Sequence, residues 1–491
     1  MTTPTDTPAA PAGPARGFSA PLATTVNPAL TTGLAAAVVM WVIWWITHLP
    51  SIAAAPVATL ILLIAGKVAV IAWLAGRATA TGGPSAALWV GTGGGLIAAA
   101  FNLLILGSVL TEQPDSTAEF ADAVNQFRDG APVITLGFFG ISGVAGAIAG
   151  LLALGFSRRE PDAAPNRLDP RAWLARYAGV LAIGFVPLLA VGGSVTSTES
   201  GMAVPDAVTT YGSVSFLFPI SLMADPRVFL EHTHRLFGTL IGVATILLVI
   251  QAFAVRVPVR LRVMSIVLLV LVILQGLLGI ARVSEIVRAW PGFSSISEPY
   301  WAALHGIKGQ GVFAFGVWTA AAFAGVVRTA ESALPERTVT VARRAGALGG
   351  FAVAALFIQL LFGALSRHTG AAHALWSHVG WSLVVALVVF IVGALLTSAD
   401  KFSDAGARLR RLGTGVSGVV VLQFCLGFGA LAVVGQGGGE RPIPTADQLA
   451  DAPPIDTVEA LFTTSHQTTG AILLGLTVLA AVRAKQVARS G

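Results

Sequence analysis

The 491-residue sequence predicts an all-α polytopic membrane protein with about twelve transmembrane helices: four amino-terminal ones, then two tandem four-helix bundles. Three observations carry this expectation. Hydrophobic residues make up 55% of the chain and charged residues only 11%, and the mean hydropathy is +0.79, which leaves too little polar surface for a water-facing globule. Apolar stretches long enough to cross about 30 Å of hydrocarbon recur from end to end. Basic residues collect in alternate connections, as they do in a chain that crosses a membrane repeatedly.

Taken in order, residues 1–28 are rich in Pro, Ala and Thr and lack a basic start followed by an apolar core, so they predict a disordered cytoplasmic tail without a cleaved signal peptide. Apolar runs at 30–47, 54–76, 86–110 and 132–156 build a four-helix membrane domain over 29–157. Its glycine-rich stretches, 91–95 and 137–150, predict close helix packing. Lys67, inside the second run, must pair with a neighbouring helix or snorkel. The Arg-, Asp- and Pro-rich segment 157–176 marks a domain boundary. Runs at 178–195, 233–254, 263–283 and 302–326 form a first bundle within 171–330, and runs at 345–365, 377–397, 413–434 and 465–483 a second within 340–485. With a polar boundary and a complete repeat, this eight-helix part is expected to fold alone.

Loop charge sets the topology. Arg158, Arg159, Arg167, Arg171 and Arg176 lie on one side, with Arg256, Arg260, Arg262, Arg328, Arg337, Arg343, Arg344, Lys401, Arg408, Arg410, Arg411, Arg483, Lys485 and Arg489. The opposite connections carry Glu112, Asp115, Glu119 and Asp122 or the long polar stretches 196–230 and 284–300. The positive-inside rule then places both termini in the cytoplasm of a bacterial plasma membrane. The formal charge of +6 is spread over these clusters and forms no continuous stripe, which argues against nucleic acid as a partner. The single cysteine, Cys425, lies in an apolar run and excludes an intramolecular disulfide or a Cys-based metal site.

Four histidines stand near the outer ends of apolar helices and form two pairs, His234 with His305 and His378 with His466. Before the first, Glu231, His234 and Arg235 share one helix face at i, i+3 and i+4. Ionisable groups cost several kcal/mol inside a bilayer, so such a cluster marks a functional site. Two imidazoles projecting from facing helices at equal depth suit the axial positions of a haem iron. Gly380, Thr469 and Gly470 are small residues expected near the iron, and Arg235, Arg282, Lys308 and Arg367 are candidate partners for the propionates. For any single histidine the plainer reading is an interfacial side chain that snorkels or caps, and it is the periodic placement of all four that favours ligation. His368 and His373 read as interfacial, with a gating or propionate role as the alternative, and His48 and His232 as uninvolved. An internal echo supports the two-bundle division: Gln275-x-x-x-Gly279, Gln359-x-x-x-Gly363 and Gln423-x-x-x-Gly427 each precede a helix that opens on a histidine.

The run Glu231-His232-Thr233-His234-Arg235, preceded by Gly192-Gly193-Ser194-Val195-Thr196-Ser197-Thr198-Glu199-Ser200-Gly201-Met202 and Pro205-Asp206, resembles the haem A synthase family of cytochrome oxidase assembly proteins. The resemblance covers roughly 178–483. It implies eight helices in two similar halves, with His234 and His305 flanking a haem O/haem A site, Glu231 as the catalytic acid, and His378 and His466 as ligands of a haem B. The reaction implied is oxidation of the C8 methyl group of haem O to the formyl group of haem A, using O2 and electrons from a donor that the sequence does not identify. Haem O synthase and the oxidase assembly machinery are the implied partners. Three features depart from the family: residues 203–208 lack the outer-loop cysteine pair of many relatives, Ser377-His378-Val379 lacks the usual His-Arg pairing, and the first four helices have no family equivalent. Two other readings of the same histidines are a non-catalytic bis-His cytochrome b passing electrons from quinol, and a haem-handling assembly factor. The acid beside His234 favours the enzyme, because an electron-transfer site gains little from it.

Overall fold

The computed structural model of the protein describes residues 20–52, 54–116, 119–120, 124–156, 168–284, 297–327, 334–435 and 443–491. Among the described residues are twelve helices long and apolar enough to cross a membrane, and the chain is an all-α polytopic membrane protein. They are α1 (Ala20–Thr47), α2 (Pro56–Gly82), α3 (Pro84–Leu110), α4 (Ala131–Phe156), α5 (Pro170–Ser197), α6 (Pro226–Ala254), α7 (Val259–Val283), α8 (Glu298–Val327), α9 (Glu336–Thr369), α10 (Ala372–Thr397), α11 (Asp404–Val434) and α12 (Thr457–Ser490). Arg158, Arg159, Arg167, Arg328, Asp122 and most of 284–300 lie outside the described residues.

Local chemistry sets the helix starts. Proline occupies the first turn of α2, α3, α5 and α6, where its missing N–H costs nothing. Carboxylates of Asp169, Asp225 and Asp456 accept from backbone N–H groups one turn on. The Asp225 cap starts α6 at Pro226, about two turns before its apolar run. Glu231, His234 and Arg235 therefore fall inside regular helix. At the other end of a helix, Gly370 takes φ 63° after α9 and permits an abrupt return into α10.

The helices pack as three groups. α5–α6–α7–α8 close into a ring of neighbours, and α9–α10–α11–α12 close into a second ring, joined to the first along α8–α9, α5–α12 and α8–α12. The amino-terminal helices form a third group in which α3 lies against both α1 and α4. There the glycine-rich stretches act as expected: a Cβ at Gly95 would stand 2.3 Å from the Ser142 carbonyl oxygen, one at Gly146 2.3 Å from that of Gly91, one at Gly91 2.4 Å from that of Gly146 and one at Gly150 2.7 Å from that of Ala87, while one at Gly94 would stand 2.7 Å from Thr32 on α1. Gly137 and Gly140 meet nothing and serve no such purpose. Lys67 is buried against α4, its ammonium 5.8 Å from the centre of the Phe138 ring.

Two expectations meet a different outcome. Helix α1 begins at Ala20, so the part of the expected tail that the structure describes is helical; buried Asn27 donates to the Pro170 carbonyl at 3.4 Å and ties these turns to the start of α5. The expected independence of the eight-helix part also finds no seam. Leu34, Trp41, Trp44, Phe101 and Phe120 belong to one continuous apolar core with Leu174, Phe185, Phe229 and Phe237.

Candidate functional site

The four paired histidines lie at one end of the two rings, on diagonal helices: His234 on α6 faces His305 on α8, and His378 on α10 faces His466 on α12. The ring centres are 6.4 Å apart in the first pair and 6.1 Å in the second, with the planes crossed at 77° and 80°. Two imidazoles on opposite sides of one first-row metal, with bonds of about 2.0–2.1 Å and ring centres about 1.1 Å behind each nitrogen, stand about 6.3 Å apart. Both pairs fit that span. Each pair offers two donors, and among the described residues no group of three or more His, Cys, Asp or Glu gathers to hold a metal. Such a pair suits an iron that brings four in-plane nitrogens of its own.

One device seats all four rings. A Cβ on Gly192, Gly279, Gly363 or Gly427 would stand 2.8, 3.3, 2.8 or 3.1 Å from the imidazole of His234, His305, His378 or His466, respectively. Each glycine lies on the helix before its histidine, so a bare backbone makes the space for the ring. The Gln-x-x-x-Gly echo thus acquires a physical meaning, and the glutamine one turn earlier completes it. Gln359 Nε2 donates to the His378 carbonyl at 3.0 Å, and the Gln359 carbonyl lies 3.1 Å from His378 Nδ1 and accepts its proton. Gln423 Nε2 lies 3.2 Å from His466 Nδ1 and 3.4 Å from its Nε2; turned about, the same amide presents Oε1, which has no other partner among the described residues, to an Nδ1–H.

In the first bundle the arrangement is looser. Gln275 donates only to the His305 carbonyl, at 2.9 Å. The position one turn before Gly192 is Leu188, which has nothing to donate. Among the described residues, the buried Nδ1 atoms of His234 and His305 have no hydrogen-bond partner. Among the described residues, glutamines reach the rings of one pair, whereas nothing bonds Nδ1 in the other.

Around the first pair the outer loop 198–225 is bound down onto α6. Glu231, 4% exposed, accepts from Arg235 Nη2 at 2.7 Å and from the Val204 N–H at 2.8 Å. Arg235 also donates to the carbonyls of Asp206 at 2.6 Å and Thr209 at 2.8 Å, so its guanidinium is committed to the loop. Fully buried His232 places Nδ1 3.2 Å from Thr210 Oγ1 and is a loop anchor, a role its sequence position did not reveal. Tyr211 donates to the Ala203 carbonyl at 3.2 Å, and burial, then the carboxylates of Asp225, Glu231 and Asp206, push its phenol above the usual range.

The other candidates divide by depth. Arg282 pairs with Glu298 at 2.7 Å and borders Gly201, and Arg367 reaches across to Glu199 and the Thr196 carbonyl, so both stand at the histidine end. Lys308 lies one turn deeper than His305, its ammonium 3.3 Å from the Leu271 carbonyl, on the far side of the pair from the loop. Gly470 packs against Gln423 and Gly380 meets nothing, so the glycines that touch the imidazoles are others than those two. Exposed His373 stands apart at the start of α10, and His368 ends α9. Sequence reasoning quoted Gly192 within the run that carries the resemblance but missed its place against the His234 ring, although it lies on α5 before a histidine helix like the other three. It also missed Gln467, which lies against Gly193 and joins the two bundles between His466 and His234.

Comparison with known proteins adds one finding. Residues 175–384 match the family model described as cytochrome oxidase assembly protein, which is less than half of the chain. The match takes in His234, His305 and His378, and leaves out α1–α4 and His466. No curated protein and no solved structure matches the chain. Over residues 175–384, therefore, this multi-pass membrane chain is similar to the family model described as cytochrome oxidase assembly protein.

Proposed function

We propose that the chain is a haem A synthase: haem O binds between His234 and His305, its C8 methyl group is oxidised to a formyl group, and a resident haem B lies between His378 and His466. The observation that carries this reading is the contrast between the pairs. Rings fixed through Nδ1 make better and more permanent ligands, and losing such a partner weakens metal binding about 10- to 100-fold. The main-chain carbonyl of Gln359 and the side-chain amide of Gln423 offer the second pair such partners. The rings of the first pair, whose Nδ1 atoms have no partner among the described residues, suit a haem that must arrive, react and leave.

Converting a methyl to a formyl group consumes oxygen in two steps, each with two electrons from an external donor, and releases water. Iron held between the imidazoles supplies the redox chemistry when bound. The residues of the chain orient and exclude. Glycines on α5 and α7 bring the rings to their spacing, and the loop anchored by Glu231 and Arg235 covers the histidine end of the site. Glu231, one turn before His234, is fixed between a guanidinium and a backbone N–H, and it passes a proton only on parting from Arg235. Arg282 and Arg367 provide positive charge at the same end, where haem propionates would lie. By the positive-inside rule this end faces away from the cytoplasm.

Expression in a strain that makes haem O and no haem A tests the reading. Extracted haems should include haem A with the parent chain and none with His234→Ala or His305→Ala, while both variants keep the second haem. Haem O recovered unchanged from parent membranes, given oxygen and reductant, would falsify it. The near-equal spacing of the two pairs favours a second reading, a two-haem membrane cytochrome b. That reading requires two permanent low-spin haems with an unaltered porphyrin edge, which pyridine haemochrome spectra distinguish.

A further inference from the structure

We propose that the amino-terminal four-helix block is a brace for the loop 198–225, with Asn125 and Gln113 as positioning residues that hold Glu231 and Arg235 in place through that loop. The connection between α3 and α4 meets the loop at three points. Asn125, at φ 61°, turns its Oδ1 to accept from Ser213 Oγ at 2.9 Å and from the Val214 N–H at 3.1 Å. Gln113 Nε2 donates to the carbonyls of Ser108 at 2.9 Å and Thr111 at 2.8 Å, which leaves Oε1 to accept from the Ser221 N–H at 3.2 Å. The Pro114 carbonyl accepts from Ser221 Oγ at 2.8 Å, and Phe120 meets Phe218 edge to face at 5.6 Å.

The same loop then reaches α6 at every turn around the first imidazole. Phe218 stacks on Tyr211 and lies 5.2 Å from the His232 ring. Thr210 contacts His232, Thr209 and Asp206 accept from Arg235, and Val204 donates to Glu231. Helix α1 supports the other face of this segment, with Trp41 against Phe237 and Trp44 against Phe229. The corresponding connection in the second bundle is only Gly370-Ala371, which has no loop to brace. A long loop over one histidine pair and an extra block beside that loop therefore belong together.

Hydrogen–deuterium exchange on the full chain in lipid nanodiscs tests the brace. Asn125→Gly keeps the left-handed backbone and removes the acceptor, whereas Asn125→Asp keeps both. Exchange across 203–213 should quicken about tenfold in Asn125→Gly, the factor that about one net hydrogen bond represents. It should return to the parent rate in Asn125→Asp, with α9–α12 unchanged in both. Gln113→Leu should repeat the glycine pattern from the second anchor. Parent-like exchange of 203–213 in Asn125→Gly and Gln113→Leu overturns the proposal, as does equal loosening of α9–α12. The effect on turnover rests on the proposed haem A synthesis, but the exchange does not: a brace without haem A formation by the parent sinks only the enzymatic reading, and haem A formation without the exchange pattern sinks only the brace.

Discussion

Gly363 has no room for a methyl group, since the atom would stand 2.8 Å from the His378 ring, well inside van der Waals contact. Gly363→Val should therefore push the imidazole off its axis at a cost of about 1–3 kcal/mol. The expected outcome is a haem-to-protein ratio that falls from two to one, with the spectrum of the first site intact. Removing the hydrogen bond without touching the space gives a subtler variant. Gln423→Leu, which takes away the side-chain amide beside His466 Nδ1, should quicken haem transfer from the second site to an excess of apomyoglobin about 10- to 100-fold. The reciprocal change, Leu188→Gln, places an amide one turn before Gly192 and should slow release from the first site in the same assay. Tyr211 reports the loop through pH. Its phenol is raised in the fold, so its contribution is fully present below the usual value of about 10 and is lost as pH rises through the higher folded value. Protection of 203–213, taken relative to the intrinsic exchange rate at each pH, should thus fall above that range in the parent, and Tyr211→Phe, which keeps the stacking on Phe218, should remove that fall.

Helices carry their message in periodicity and composition, which is why twelve spans, the two bundles and the histidine pairing were legible before any coordinates. Two kinds of information were not. Segments whose hydrophobicity is ordinary but whose ends are capped extend further than their apolar runs: Asp225 and Pro226 lengthen α6, and Ala20 opens α1 within residues expected to be a tail. Side chains that act over a long sequence separation leave no local signal at all. Asn125 and Ser213 are 88 residues apart, and nothing near either foretells their hydrogen bond. The glutamine echo lay between these extremes, since its period was visible while its target, an imidazole on the next helix, needed the packing of α9 on α10 and of α11 on α12. The glycine stretches of α3 and α4 behaved similarly, with half their members at the contact. Gly95→Val would drive a branched side chain into the Ser142 carbonyl and separate the two helices. Thermal unfolding of this variant should begin well below the parent, whereas Gly140→Val, at a position that meets nothing, should unfold with it.

Across the whole molecule the apolar core ignores the boundary that charge and proline mark at 157–176. Trp41 lies edge to face on Phe237 at 5.2 Å, Trp44 lies against Phe229 at 5.9 Å, and all four rings belong to the cluster that also holds Leu181, Phe185 and Phe313. In lipid such packing drives helix association, because burial away from water offers no gain between spans. A chain truncated to 168–491 would therefore expose the aromatic face of α6 to lipid and release the loop 198–225 from Asn125 and Gln113. The second ring, closed among α9–α12 and joined to the first by Arg367 with Glu199 and by Thr464 with Ser197 at 3.1 Å, shares no extended helix–helix contact with the block among the described residues. The expected result is a split in behaviour within one polypeptide. Truncated protein should retain the haem between His378 and His466 in its absorption spectrum, show fast exchange across 198–237, and form no haem A in the haem O-producing strain. Restoring 1–157 as a separate chain in the same membrane should recover protection of the loop, because the contacts between the two parts are side-by-side helices and loop hydrogen bonds that need no covalent link. Slow exchange and haem A formation by 168–491 alone would show instead that the eight helices are sufficient.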